Sequence, residues 1–436
     1  MSKTGMIAPP ELERSLGLER YLTDAPGTGG RLKASPEDFI VEEVPLAFPP
    51  PVKDGKYTVA SLRARNWETN RLVGEIAHRL NIPRDTIFFA GTKDKRAVTT
   101  QYMALRASEE AVRALDLRDV EILDTRRVDR APKIGELVGN KFIIRIRDAV
   151  PDAPARLHAT LAQVEREGGF PNYFGLQRFG VLRPITHLVG EAILRGDLER
   201  AVRLYVGHPV GTEQEDSREA RAFFDATNDP AAALAKYPRH MNFERMMLDH
   251  LAQRPDDWEG ALWRLPANLR TMFVYAAQSI LFNRMVSRRL EAGIGLNAPE
   301  VGDLVAGIDA EGRPEKDRLH RVTQKNHERV QKLCSTGGAL VTGVVFGSDV
   351  ELAEGPMGNI ERAVVKEAGY TREDFLVPNL PEVASYGTRR ELLAPLGPVH
   401  TRADEQGLEL SFFLLKGTYA TCLLREVMKT EAANYA

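Results

Sequence analysis

Apolar positions recur in two rhythms along this chain, and the change from one to the other divides it. Up to about residue 150 the alternating rhythm of strands prevails, at 39–44, 56–64 and 120–128, and again in the run KFIIRIR at 141–147. In that last run Phe142, Ile144 and Ile146 face one way, and Lys141, Arg145 and Arg147 the other. Two shorter runs, 87–90 and 97–105, are rich in β-branched and aromatic residues and flank a polar turn from Gly91 to Arg96. They predict two strands holding Asp94 on a loop between them. Ahead of them, Leu72, Val73, Ile76 and Leu80 recur at helical spacing, with Thr69 as the expected N-cap and Pro83 beyond the end. From about 188 to 380 the helical rhythm takes over. It predicts helices at 191–204 with a break at Gly196, at 230–236, at 243–252, and at 272–292 with a stripe of Val274, Ala277, Leu281 and Met285 stopped by Gly293. Short strands are expected at 301–305, 321–323 and 339–345. Alternation returns at 407–415, and a helix follows from Thr418 to about residue 428. A strand that closes the chain after a helical insert most simply rejoins the first sheet.

The pattern therefore predicts an α+β molecule, with one mixed sheet domain built from both ends of the chain and a second domain inserted between them. A length of 436 residues agrees with two domains, and 43% hydrophobic with 28% charged residues is the composition of a globular protein. A net charge of −2 means that any polyanionic partner must be met by a local basic surface. Cys334 and Cys422 supply neither a disulfide framework nor a zinc cluster. No stretch has the apolar core of a signal peptide or the length of a membrane span, so a cytoplasmic protein is expected. With no glycine-rich phosphate loop and no His/Cys cluster, we expect no nucleotide cofactor and no metal. A monomer is the favoured state.

Four features carry candidate chemistry. Asp94 stands among Lys93, Lys95 and Arg96, cations that favour an ionised carboxylate, although an Asp in a glycine-containing turn commonly does no more than bond its own backbone. Between 126 and 147 the residues Arg126, Arg127, Arg130, Lys133, Lys141, Arg145 and Arg147 recur with few acids among them. They form either a solvated face or the wall of a groove for a phosphate backbone. The stretch FPNYFGLQRFG at 170–180 mixes rings, glycine and amides as a binding loop would, the other account being a glycine-hinged loop capped by aromatics. Phe39, just after the turn Pro36-Glu37-Asp38, is either core or a ring on which a base stacks.

In combination these stretches resemble one family. Ala90-Gly91-Thr92-Lys93-Asp94 matches the AGxKD signature of the TruD pseudouridine synthases, and 172–180 matches their NYFGxQRFG signature. Pro36-Glu37-Asp38-Phe39 and Gly417-Thr418-Tyr419-Ala420-Thr421 match two further segments, all in the family's order. The resemblance implies a catalytic domain of pseudouridine-synthase fold with a mixed, mostly antiparallel sheet, and an inserted α/β TRUD domain of the longer archaeal type. The two would form a V around an RNA-binding cleft. The expected boundaries are an N-terminal extension at 1–30, a discontinuous catalytic domain at 31–171 and 389–436, and the insert at 172–388, with a start near 190 as the alternative.

Carried over by position, Asp94 is the catalytic aspartate; Phe39, Asn172 and Tyr419 contact the target nucleotide; and Lys93 gives electrostatic support. Arg96, Arg178, Arg183, Arg389 and Arg390 are candidate phosphate contacts. The substrate implied is tRNA, modified at uridine 13 of the D arm. A silent RNA-binding or chaperone module and a carboxylate-dependent N-glycosidase are the competing functions.

Overall fold

The computed structural model describes residues 7–46, 50–310 and 312–435. The start of the expected extension lies outside them. The chain divides into two compact units, one of residues 25–169, 395–430 and 434–435, and one of residues 7–24, 170–394 and 431–433.

The first, the sheet unit, is organised by a path of seven strands. Their order is His400–Asp404, Gly407–Leu415, Leu137–Ala149, Phe39–Pro45, Val98–Leu105, Tyr57–Arg65 and Val120–Val128, with Gly29–Arg31 and Ile87–Phe89 attached at the sides. Along this path only Phe39–Pro45 and Val98–Leu105 run parallel, in the register Ile40 to Val98; the other pairings are antiparallel. The closing strand does return to the first sheet, pairing Leu408 with Ile146 through Leu415 with Gly139. Its alternation is complete, since Leu408, Leu410, Phe412 and Leu414 are buried while Phe413 and Leu415 are half-buried. Phe412 stacks on Phe142 at 5.5 Å, and Phe39 meets Phe142 edge-on at 6.2 Å. Three adjacent strands thus share an aromatic layer.

The helix Thr69–Leu80 buries Leu72, Val73, Ile76 and Ala77 against Ala60, Leu62, Met103 and Leu105 of the sheet. Its cap differs from the one expected. The carboxylate of Glu68 accepts from the N–H groups of Asn70 and Arg71 at 2.9 and 2.8 Å, and Thr69 is released for another task. The helix expected from Thr418 begins at Ala420, with Tyr419 at its N-cap position.

The second, the helical unit, holds the helices Thr186–Leu194 and Leu198–Val206, separated at Gly196 with φ +73°, and the helices Pro230–Lys236 and Asn242–Gln253. It also holds an antiparallel sheet in the order Pro314–Arg321, Leu304–Ile308, Ala339–Val345 and Thr388–Glu391. Its axis is the helix Ala267–Glu291. An amphipathic stripe was the expectation, but from Ala276 to Asn283 every residue is buried. The polar members of that run are consequently hydrogen-bonded. Asn283 donates to the carbonyls of Leu16 and Phe174 at 3.1 and 3.0 Å, Ser279 to that of Tyr275 at 2.6 Å, and Gln278 to Ser385 Oγ at 2.9 Å; one turn on, Ser287 donates to the carbonyl of Gly17 at 2.7 Å. The segment 7–24, read as an extension toward the first strand, belongs instead to this unit. Gly17, at φ +80°, could carry no side chain, because a Cβ would lie 2.9 Å from Asn283 Cβ. Among the described residues no helix is long and apolar enough to cross a membrane.

Candidate active site

Parallel pairing of Phe39–Pro45 with Val98–Leu105 puts the N-terminal ends of both strands at one end of the sheet. Phe39 opens one strand, and the loop carrying Asp94 feeds the other. Asp94 is half-exposed, and its Oδ1 lies 3.8 Å from the ammonium of Lys33. Lys33 is itself buried, with φ +54°, and its ammonium sits 4.5 Å from the centroid of the Phe39 ring. Arg96 donates to the carbonyl of Lys33 at 2.9 Å, fixing that strained residue from the far side of the Asp94 loop. Lys33 is the residue the sequence reading missed. Its signal was its place just before the turn 36–38, whose Ser35/Asp38 capping box folds the chain back.

That turn is locked to the sheet. Asp38 accepts from Ser35 N at 2.8 Å and from Arg147 Nε at 2.8 and 2.9 Å. Burial alone would raise the Asp38 carboxyl, but the bonds from Arg147 and Ser35 outweigh it and hold the group below its ordinary range.

Three anchors hold the 90–94 loop. The N–H of Lys93 donates to Thr69 Oγ1 at 2.8 Å, which is the task that Thr69 performs in place of capping. The Lys93 ammonium, with 4% of its side chain exposed, pairs with Glu43, whose side chain is 1% exposed. At the head of the loop, Ala90 O accepts from Gly135 N at 2.7 Å, while Gly135 O accepts from Lys416 Nζ at 2.7 Å. This last pair links the Asp94 loop to the end of the closing strand, three residues before the half-buried Tyr419.

Two expected roles change with burial. Phe39 is 1% exposed and its face is occupied by Lys33, so it acts as core and as the platform for a cation rather than as a ring open to a base. Lys93 is likewise internal; it fixes the loop instead of facing solvent.

Much of the basic stretch of 126–147 is tied up within the unit, and for Arg145 and Arg147 the partners are carboxylates distant in sequence. Arg145 bonds Asp404 at 2.6 Å and Glu409 at 2.7 Å, Arg147 bonds Asp38, and Arg130 bonds Glu136 at 2.9 Å. Arg127 donates to Thr58 Oγ1 at 2.7 Å, to Ala107 O at 2.5 Å, and to Gly55 O. A wall of unpaired cations is therefore not what this strand presents.

The remaining candidates lie in the helical unit. Asn172 is 4% exposed, and its amide is engaged on both sides, donating to Glu391 O at 3.0 Å and accepting from Arg390 Nη2 at 2.5 Å. Arg390 Nε donates to Asn172 O at 3.1 Å, and its guanidinium lies 4.4 Å from the Phe174 centroid. The rings of the 170–180 stretch are likewise interior, with Phe170, Tyr173 and Phe179 at most 1% exposed. The capped-loop account describes this stretch better than a row of stacking rings. Arg389 is 3% exposed and bonds Glu361 at 2.8 Å, Thr342 O at 2.7 Å and Glu351 O at 2.9 Å. Arg183 caps a helix C-terminus, donating to Leu204 O, Tyr205 O and Gly207 O at 2.7, 3.0 and 2.5 Å. Arg389 and Arg183 are thus corrected from phosphate contacts to internal ties, because every phosphate contact would first have to break several of these bonds. Arg96 is exposed and Arg178 half-buried.

Comparison with known proteins agrees along the whole chain. A family model described as tRNA pseudouridine synthase D (TruD) matches residues 15–427. A Methanococcoides burtonii protein named "Probable tRNA pseudouridine synthase D" is 40% identical over 97% of this chain and 98% of its own length. One of the same name from Thermococcus onnurineus is 42% identical over 94% of this chain and 97% of its own. A Methanosarcina mazei crystal structure described as TruD superposes with a TM-score of 0.83 at 37% identity, over 98% of this chain and 100% of that one. With its mixed sheet, its Asp94 loop and these matches, the chain belongs to the TruD family.

Proposed function

We propose that this protein is a tRNA pseudouridine synthase, an isomerase, which converts uridine 13 of the D arm with Asp94 as its reacting carboxylate. The observation that carries the reading is the half-exposed Asp94 carboxylate beside the buried Lys33 ammonium, on a loop fixed at Thr69, Glu43 and Gly135.

The reaction breaks the N1–C1′ bond of a uridine, turns the base, and forms a C5–C1′ bond. C5 gives up its proton and N1 gains one, so atoms and electrons balance with no co-reactant. A carboxylate held in place can act here as a nucleophile or as a base, and Asp94 reaches solvent without leaving its anchors. Lys33 opposes the charge of Asp94 from one side and leaves the other open to the substrate. Reaching C1′ in folded RNA requires the nucleotide to leave its stack, at a cost of about a few kcal/mol. The half-buried Tyr419 ring offers a stack that returns about 1–3 kcal/mol. Phosphate contact falls to Arg96 and Arg178, the candidates that keep access to solvent.

Single-turnover conversion of an unmodified tRNA transcript, read by carbodiimide labelling, tests the proposal. Wild type should mark one D-arm uridine, while Asp94→Asn marks none yet binds the RNA with nearly wild-type affinity. Free uracil in solution would mean an N-glycosidase. Tight binding by both proteins with no mark from either would mean a binding module.

A further inference from the structure

The helical unit contains a cavity of about 370 Å³, of whose lining the chemistry above uses only Arg178. The volume suits a small ligand. Its lining includes Tyr275, Tyr386, Arg178, Lys316 and the buried Arg390, and every charged residue of the lining is a cation. Lys316 pairs with Glu391 at 3.1 Å, Arg389 with Glu361, and Arg390 donates to Asn172; Arg178 and Arg390 also lie over the Phe174 ring at 5.4 and 4.4 Å. Two aromatic rings beside cations, with no carboxylate in the lining, is a combination suited to a base with its phosphate.

The most telling feature is Tyr386. Its residue is 74% exposed, yet the backbone beneath it is pinned. Ser385 N donates to Phe375 O at 3.0 Å, and Ser385 O accepts from Ser348 N at 2.9 Å. Tyr386 O accepts from Asp349 N at 3.0 Å, and Ser385 Oγ accepts from Gln278 Nε2 at 2.9 Å. Gly387 follows at φ +84°, where a Cβ would come within 2.8 Å of Gly347 N. A large ring held in water on a backbone this constrained loses little freedom when something stacks on it. Tyr275, 44% exposed on the axial helix, supplies a second ring at the same cavity.

We propose that this cavity docks a second unstacked nucleotide of the tRNA, its base against Tyr386 and Tyr275 and its phosphate drawn by Arg178. The inference rests on the reading of the protein as a tRNA-modifying enzyme, which it extends to the helical unit.

The test is equilibrium binding of the full chain to an unmodified tRNA transcript by fluorescence anisotropy. Tyr386→Ala should weaken binding about tenfold, the scale of one lost base stack, and Tyr275→Ala should weaken it in the same direction. Tyr386→Phe keeps the ring and should stay within about twofold of wild type. Arg178→Gln should reduce the slope of log Kd against log salt by about one contact. Binding by Tyr386→Ala and Tyr275→Ala within about twofold of wild type would overturn the proposal, as would failure of Tyr386→Phe to preserve binding. Saturable uptake of uridine 5′-monophosphate without any effect of Tyr386→Ala on tRNA would assign the cavity to a free nucleotide and overturn it too. The two readings fail separately. A wild type that converts no uridine but needs Tyr386 to bind tRNA ends the isomerase proposal alone, and conversion with no dependence on Tyr386 ends the docking proposal alone.

Discussion

Removing either partner of the Lys93–Glu43 pair should cost the sheet unit far more than removing both. The two side chains are 4% and 1% exposed, and Glu43 Oε1 is buried with no hydrogen-bond partner among the described residues. Lys93→Met therefore strands a carboxylate that has lost its counter-charge and had no second donor. Glu43→Leu strands an ammonium in the same place. Each single change should destabilise by about 3–5 kcal/mol, whereas the double variant, which leaves an apolar pair, should lie within about 1 kcal/mol of wild type. The resulting coupling energy is then at least about 5 kcal/mol. Urea unfolding measures it, with Trp258 and Trp263 replaced by Phe so that Trp67, which packs against the core of the sheet unit and donates to Arg118 O at 3.1 Å, reports that unit alone. Single variants costing less than about 1 kcal/mol, or three losses that simply add, would refute the claim that this pair anchors the loop of Asp94.

Four further outcomes follow from the same structure. Asp38 is held below its ordinary 3.8, so its contribution is complete above that value and is lost as pH falls through the lower, folded value; Asp38→Asn should flatten the loss of thermal stability between about pH 5 and 2. Burial pushes the His187 imidazole down to about 4, aided by Arg284, so acidification from 6.5 toward 4 should cost the wild type up to about 3 kcal/mol that His187→Leu does not lose, as urea titrations at each pH would record. Asn172→Ala, which removes the acceptor of Arg390 and the donor to Glu391, should destabilise the helical unit by about 1–3 kcal/mol in a thermal melt. Gly387→Ala, forced into a left-handed conformation against Gly347, should lower the same transition by about 1 kcal/mol or more.

Local rhythm was enough to place most elements of this fold. The strands at 120–128, 339–345 and 407–415 and the helix at 230–236 fall where alternation and helical spacing put them. Short-range chemistry was less reliable at the helix starts, since Glu68 and not Thr69 caps its helix. The axial helix read as one-sided because a residue's neighbours across space do not appear in its periodicity. The same blindness governed the charges. Arg145 and Arg147 looked unanswered because Asp404, Glu409 and Asp38 lie 259, 264 and 109 positions away in the chain.

What the sequence determined by itself was the family and the loop that carries the candidate carboxylate, because each of AGTKD and its companion motifs is contiguous in the chain and a family is recognisable in them. Tertiary structure decided what each neighbour does. It set Lys33 beside Asp94, turned Phe39 from an open ring into the support of that lysine, and buried Lys93 on Glu43. It also withdrew Arg183 and Arg389 into the helical unit while leaving Tyr386 in water. The physical reason is the same throughout. A residue's chemistry is written in its side chain, but whether that chemistry faces substrate, solvent or another side chain depends on burial and pairing, and these are settled by strands and helices that meet only when the chain folds.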